Sequence, residues 1–246
     1  MLLPIRFAAP VTRMTRPSRE DILSLCGAKL RDVKLAAHLL TFALVPFGLL
    51  LHAQRVQKAE LVQAAESGDL LQVRRLLAAG ANPNVPKSFS ALQAASAAAL
   101  PEIVREMLKY HADVRQRDSA GRTALNVLAL SAVADPKESP AEVAQLLIDA
   151  GADVNTQDNI YGNTALHEVP TAATAKVLIA AGARINLQNQ DGQTALMLTL
   201  DQDVARVLVD AGADVTLRDN RSKTALDLAR ELALTEKIAL LESGKK

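Results

Sequence analysis

The chain has 246 residues, a formal net charge of +1 and 49% hydrophobic residues, with no Trp and only two Tyr. Near-neutrality gives no ground for a nucleic-acid binder, and an aromatic-poor interior suits small packed helices better than an aromatic-rich β-core. The charge is uneven: seven of the 28 basic but three of the 27 acidic residues lie in 1–53, which leaves 54–246 at net −3.

In chain order, residues 1–28 form a basic leader, expected to be disordered. Arg6, Arg13, Arg16 and Arg19 precede the first acidic residue, Glu20. That pattern resembles a mitochondrial presequence, and equally an extended n-region or an upstream start with Met14 as the true one. Leu39 to Leu51 is then an apolar run of thirteen, preceded by Lys29, Arg31 and Lys34 and followed by His52-Ala53-Gln54. Thirteen residues fall short of the about 20 needed to span a bilayer. Residues 29–53 therefore read as a secretory signal peptide cleaved after Ala53. The alternatives are an uncleaved membrane tether through 35–51, with His38 and Pro46 inside it, or a buried soluble helix. Leu23-Ser24-Leu25-Cys26 is not a lipoprotein box, because Leu25 fills the slot that wants a small residue. The expected location is periplasmic or secreted, with inner-membrane anchoring and then mitochondrial import as alternatives. Cys26 is the only cysteine, so the remainder tolerates an oxidising compartment without proving one.

Residues 54–246 repeat one phrase. Thr164 to Thr194 and Gly182 to Gly212 are each separated by 30 residues, and a fixed period in this range marks a solenoid. Six units follow at 59–86, 87–117, 118–157, 158–188, 189–218 and 219–246. In the first, Leu61, Val62, Ala64 and Ala65 predict one helix and Val73, Leu76 and Leu77 a second, closed by Gly80 in the left-handed position after the helix. In the second, Ser90-Ala91-Leu92-Gln93 opens the first helix, and His111 replaces the closing Gly, predicting a strained or differently capped end. The third is overlong. Its insert, Ser131 to Pro140, holds two X-Pro pairs, and Ser139 can cap the next helix; such inserts form loops, either neutral or on the binding side. The fourth and fifth units are about three residues short between their helices, where Pro170-Thr171 and Asp201-Gln202 make tighter connections. The fourth also has an extra residue between Asp158 and Gly162. The sixth ends in Glu231, Glu236, Lys237, Glu242, Lys245 and Lys246, the polar face a terminal cap requires.

The phrase has a physical logic. Gly121, Gly162 and Gly192 permit a positive φ in a tight turn. Asp118, Asn189 and Asp219 can bond their own backbone there. Thr123, Thr164, Thr194 and Thr224 stand at helix starts and can cap free N–H groups. Leu and Val fill the seam, so no unit buries its apolar face without a neighbour.

This phrase resembles the ankyrin repeat, ending in Gly151-Ala152-Asp153-Val154-Asn155 and carrying Thr164-Ala165-Leu166-His167 where the family has Thr-Pro-Leu-His. The family's Pro is Ala at 124, 165, 195 and 225. The likeness spans roughly 59–246. It implies an all-α solenoid of helix-turn-helix units with connecting β-hairpin-like turns, whose tips and concave inner-helix face hold protein partners. It also implies that His167 is structural, bonding backbone near the Thr.

No P-loop, GxSxG, HExxH or CxxC is present, and the scattered His and carboxylates form no defensible pair. No catalytic residue, metal ligand or cofactor is expected. A pocket joining His167 to two carboxylates would favour chemistry, and an open polar groove would favour binding. Arg74, Arg75 and Arg206 read as solvated, with no basic stripe for nucleic acid. The function expected is non-catalytic binding of a protein partner by a monomer outside the cytoplasm. The alternatives are an accessory or protective factor for an envelope enzyme, and a secreted effector or immunity-type antagonist. Candidate contacts are the variable turn positions: Lys87 and Phe89; Arg122; Ile160, Tyr161 and Asn163; Gln190, Asp191 and Gln193; Asn220, Arg221 and Lys223. Ile160 and Tyr161 lead, because an apolar pair at a turn tip is otherwise unhelpful and Tyr is enriched at interface hot spots; packing of the aromatics against neighbouring tips is the alternative.

Overall fold

The computed structural model describes residues 59–85, 89–128 and 139–243, all within the unit Ala53–Lys246. The leader with its signal or anchor, Lys87, and residues 131–138 of the insert lie outside the described residues. The described residues form helices and turns with no β-strand, as the all-α solenoid expectation requires. The elements are α1 (59–66), α2 (Leu70–Ala78), α3 (Ala91–Ala97), α4 (Pro101–Lys109), α5 (Ala124–Leu128), α6 (Pro140–Asp149), α7 (Ala172–Ala180), α8 (Ala195–Leu198), α9 (Gln202–Asp210), α10 (Ala225–Glu231) and α11 (Thr235–Ser243).

The second helices of the first five units end the same way. After α2, the Gly80 N–H donates to Leu77 O at 3.0 Å and the Ala81 N–H to Leu76 O at 3.0 Å. This 5→2 and 6→1 pair consumes carbonyls that a helix end leaves free. The pair recurs at Gly151-Ala152, Gly182-Ala183 and Gly212-Ala213. It also recurs at His111-Ala112, where His111 takes φ +60°. The substitution therefore left the cap intact and moved its cost into backbone strain.

Stacking buries one face of the second helices and nearly the whole of α3 and α5. Leu92, Ile103, Met107, Leu125, Leu147, Leu178, Leu196, Leu208 and Leu241 are each 2% exposed or less, in one continuous core. Truncating Leu196 or Leu208 should cost about 2–5 kcal/mol. Arg74, Arg75 and Arg206 lie on the solvated side.

The first helices differ in two respects from expectation. The three residues missing from units four and five come out of the helices themselves. Residues 165–168 form turns only and α8 has four residues, against seven in α3 and α10. Capping also varies. Ser90 and Thr224 make full capping boxes with Gln93 and Asp227. Thr164 instead bonds the His167 ring, Thr194 makes no side-chain cap bond, and neither does Ser139 ahead of α6. At Ser139 it is Pro140 at the first helical position that sets the start, since Pro needs no N–H partner there.

Lys237 is a further correction. The sequence puts it on the polar outer face, but it is 2% exposed, and its Nζ donates to Thr199 O at 2.6 Å and lies 3.5 Å from Met197 O. The amine from α11 thus occupies the space where α8 would have had another turn, and satisfies carbonyls that turn would have used. Burial pulls its pKa down to about 8.

Candidate functional site

The hairpin tips are built around one buried residue each. Asp118 Oδ1 accepts from the Ala120 and Arg122 N–H groups, Asn189 Oδ1 from Asp191 and Gln193, and Asp219 Oδ1 from Arg221 and Lys223, all at 2.9–3.0 Å. The longer fourth turn uses both oxygens of Asp158, which accept from Ile160, Tyr161, Gly162 and Asn163 at 2.7–3.2 Å. Neighbouring tips are tied through backbone: Asn159 N–H to Ala120 O, Gln190 N–H to Tyr161 O, and Asn220 N–H to Asp191 O, at 2.8–2.9 Å. They pack closely enough that a Cβ on Gly192 would lie 2.8 Å from the Asn220 backbone nitrogen.

On this frame Ile160 and Tyr161 are 50% and 56% exposed, although their N–H groups are held by Asp158. Gln190, Asp191, Asn220 and Arg221 are exposed beside them, while Arg122, Gln193 and Lys223 are half-buried. Arg122 is turned back onto Asp118, 2.8 Å away. Phe89 is also half-buried and packs on the core, so of the two aromatics only Tyr161 stands free. Asn163 is a correction. It is only 6% exposed, and its short amide donates to Glu168 at 2.7 Å and accepts from Asn189 at 2.9 Å. Its side chain belongs to the junction between units rather than to the surface.

Below the tips, the shortened first helices of units four and five leave an open cleft of about 410 Å³. It is lined by Asn163, His167, Glu168, Val169, Leu198, Thr199, Leu200 and Asp201. The cleft does join His167 to two carboxylates, the arrangement that would favour chemistry, with both ring nitrogens and one oxygen of each carboxylate already hydrogen-bonded. The Thr164 N–H donates to His167 Nδ1 at 3.1 Å, which puts the ring proton on Nε2, where it donates to Gln193 O at 3.2 Å. Burial pushes the imidazole below its usual value, against opposing hydrogen bonds from the Gln193 and Leu187 backbone. Glu168 accepts from Asn163, and Asp201 caps α9 by accepting the Val204 N–H at 2.9 Å. Both ring nitrogens thus serve the cap and the junction between units, the structural role the resemblance implies. The lining was missed in the sequence, although the missing three residues between helices were a signal for it.

His167 belongs to a series along the stack. Gln93, Asn126 and His167 occupy the same place in units two, three and four. Each binds its own cap N–H and also a carbonyl of the next unit: Gln93 Nε2 to Arg122 O at 2.8 Å, Asn126 Nδ2 to Asn163 O at 3.5 Å, and His167 Nε2 to Gln193 O. Met197 takes that place in unit five and carries no polar hydrogen to donate.

Helix-turn-helix units with left-handed caps, self-bonded tips and this side-chain relay define a repeat solenoid. A family model described as ankyrin repeats in three copies matches residues 61–158 and 130–219, and the chain belongs to the ankyrin-repeat family. It is also similar to a chain of a solved complex from Bdellovibrio bacteriovorus, the predatory endopeptidase Bd0816 with immunity protein Bd3460. That likeness has 26% identity and a TM-score of 0.65, and covers 76% of this chain and 98% of the other. The ankyrin-repeat family points to a protein-interaction module.

Proposed function

We propose that this protein binds a protein partner outside the cytoplasm, as a monomer, through its hairpin tips and first-helix face, and catalyses nothing. The observation that carries the reading is the Ile160–Tyr161 pair, exposed on a tip whose N–H groups from Asn159 to Asn163 are all bonded. Anchors already ordered before binding lose little entropy on contact. Gln190, Asp191, Asn220 and Arg221 supply the polar rim, with Arg122, Gln193 and Lys223 at its inner edge. Affinity capture with the full chain, followed by titration of the recovered protein against Tyr161→Ala, tests this. The variant should keep its fold and weaken binding by tenfold or more; equal affinity removes the tip from the interface.

A second reading is an immunity-type antagonist, supported by the likeness to the Bd0816–Bd3460 complex. On this reading the recovered partner is a peptidase, and stoichiometric chain stops it cleaving its substrate. The location rests on the reading of residues 29–53 as a signal or anchor. Cell fractionation with N-terminal sequencing tests it, and a cytosolic chain starting at Met1 would remove the export part alone.

A further inference from the structure

The cleft between units four and five has a composition the tips lack. Its wall is apolar where Val169, Leu198 and Leu200 line it, and Leu200 is 66% exposed, the most exposed large hydrophobic side chain among the described residues. Glu168 and Asp201 stand beside that wall. One oxygen of each carboxylate is held, Glu168 Oε1 by Asn163 and Asp201 Oδ1 by the Val204 N–H. The other oxygen of each has no hydrogen-bond partner, and neither residue is in an ion pair, among the described residues. The Lys237 amine touches the lining at Thr199 O, 2.6 Å away, and lies 3.5 Å from Met197 O.

We infer that the cleft is a specificity pocket for one basic side chain, arginine or lysine, flanked by an apolar residue, on the bound partner. The inference rests on the protein-binding reading above. A guanidinium or ammonium would donate to the two open carboxylate oxygens, which are already oriented by their other bonds. Such charge-assisted bonds are the stronger kind. The methylene stem of the cation would lie along Leu198 and Leu200, as long basic side chains do on apolar surface. A carboxylate-bearing segment would instead meet two like charges, so the pocket selects by repulsion as well as attraction. The truncation of α8 and of residues 165–168 is what opens the space.

The test uses the full chain and two fluorescent peptides, acetyl-Leu-Arg-Leu-Gly-amide and the same peptide with citrulline, the uncharged isostere, in place of Arg. In fluorescence anisotropy the Arg peptide should bind at least tenfold more tightly than the citrulline peptide. The Glu168→Gln/Asp201→Asn double variant should remove that difference. Gln and Asn keep the acceptors for Asn163 and Val204, and circular dichroism should show an unchanged melting temperature. Equal binding of the two peptides, no binding of either, or an undiminished preference in the double variant would each overturn the pocket. Tyr161→Ala separates the two proposals. Loss of the captured partner on Tyr161→Ala without loss on the double variant would sink the pocket and keep the binding module.

Discussion

His167 and Met197 stand at the same place in consecutive units, yet the junctions they make are held by different means. His167 closes its own cap and reaches the Gln193 carbonyl of the next unit. Met197 does neither; Thr194 is left without a side-chain cap bond, and the carbonyls of α8 are met from outside by Lys237. The first junction is sealed by a neutral ring that proton uptake would disturb. The second is sealed by an amine whose charge is costly to bury. The stack therefore has two ionisable joints, with penalties at different pH, inside an otherwise uniform apolar seam.

The largest effects should come from the seam that both junctions share. Leu178→Ala and Leu208→Ala should each cost about 2–5 kcal/mol in urea unfolding, since both are at most 1% exposed. A much smaller loss at Leu208 would mean that unit five is loosely packed, and the comparison would fail.

The next effect belongs to Lys237. The unfolded amine holds its proton up to about pH 10.5, whereas the folded one releases it near pH 8. Between those values the unfolded state binds more protons, so stability should rise with pH, by on the order of 3 kcal/mol in total. Below pH 8 the penalty is constant. Lys237→Met should flatten that rise in unfolding curves taken at pH 7.5, 9 and 10.5, and an unchanged slope would place the amine in water.

At the other junction, His167→Met copies unit five and should cost about 1–3 kcal/mol by leaving buried donors and acceptors unpaired. His167→Gln should cost less than about 1 kcal/mol at pH 7, because Gln93 already makes the same pair of bonds in unit two. The folded imidazole titrates below the unfolded value of 6.5, so the folded state binds fewer protons there. Wild-type stability should therefore fall as pH drops below 6.5, and His167→Gln should lose that dependence. The smallest effect is a gain: His111→Gly should stabilise by about 1 kcal/mol, as the left-handed residue sheds its Cβ strain.

Much of this architecture was legible in the sequence because its punctuation is local. The turn residues Asp118, Asp158, Asn189 and Asp219 and the closing glycines act on their own backbone, so type and spacing suffice to read them. His111 was readable for the same reason. What escaped depends on contacts between units. The shortened segment looked like a tighter connection, when it was lost helix, because a count of residues does not say which side of a boundary they left. Lys237 looked like surface because α11 presents little amphipathic pattern; only the open end of α8, about 40 residues earlier in the chain, explains its burial. Asn163 stands among variable tip positions, but its short amide is held inward by Glu168 and Asn189, two contacts that spacing does not show.

The most direct measurement of the central claim is amide hydrogen exchange on the full chain, alone and with the protein recovered by affinity capture. The account predicts slow exchange throughout the seam helices in the free chain, and added protection on binding at residues 158–162 and 198–201. Added protection confined to the outer faces of α6, α7 and α9, or recovery of no protein partner at all, would contradict it.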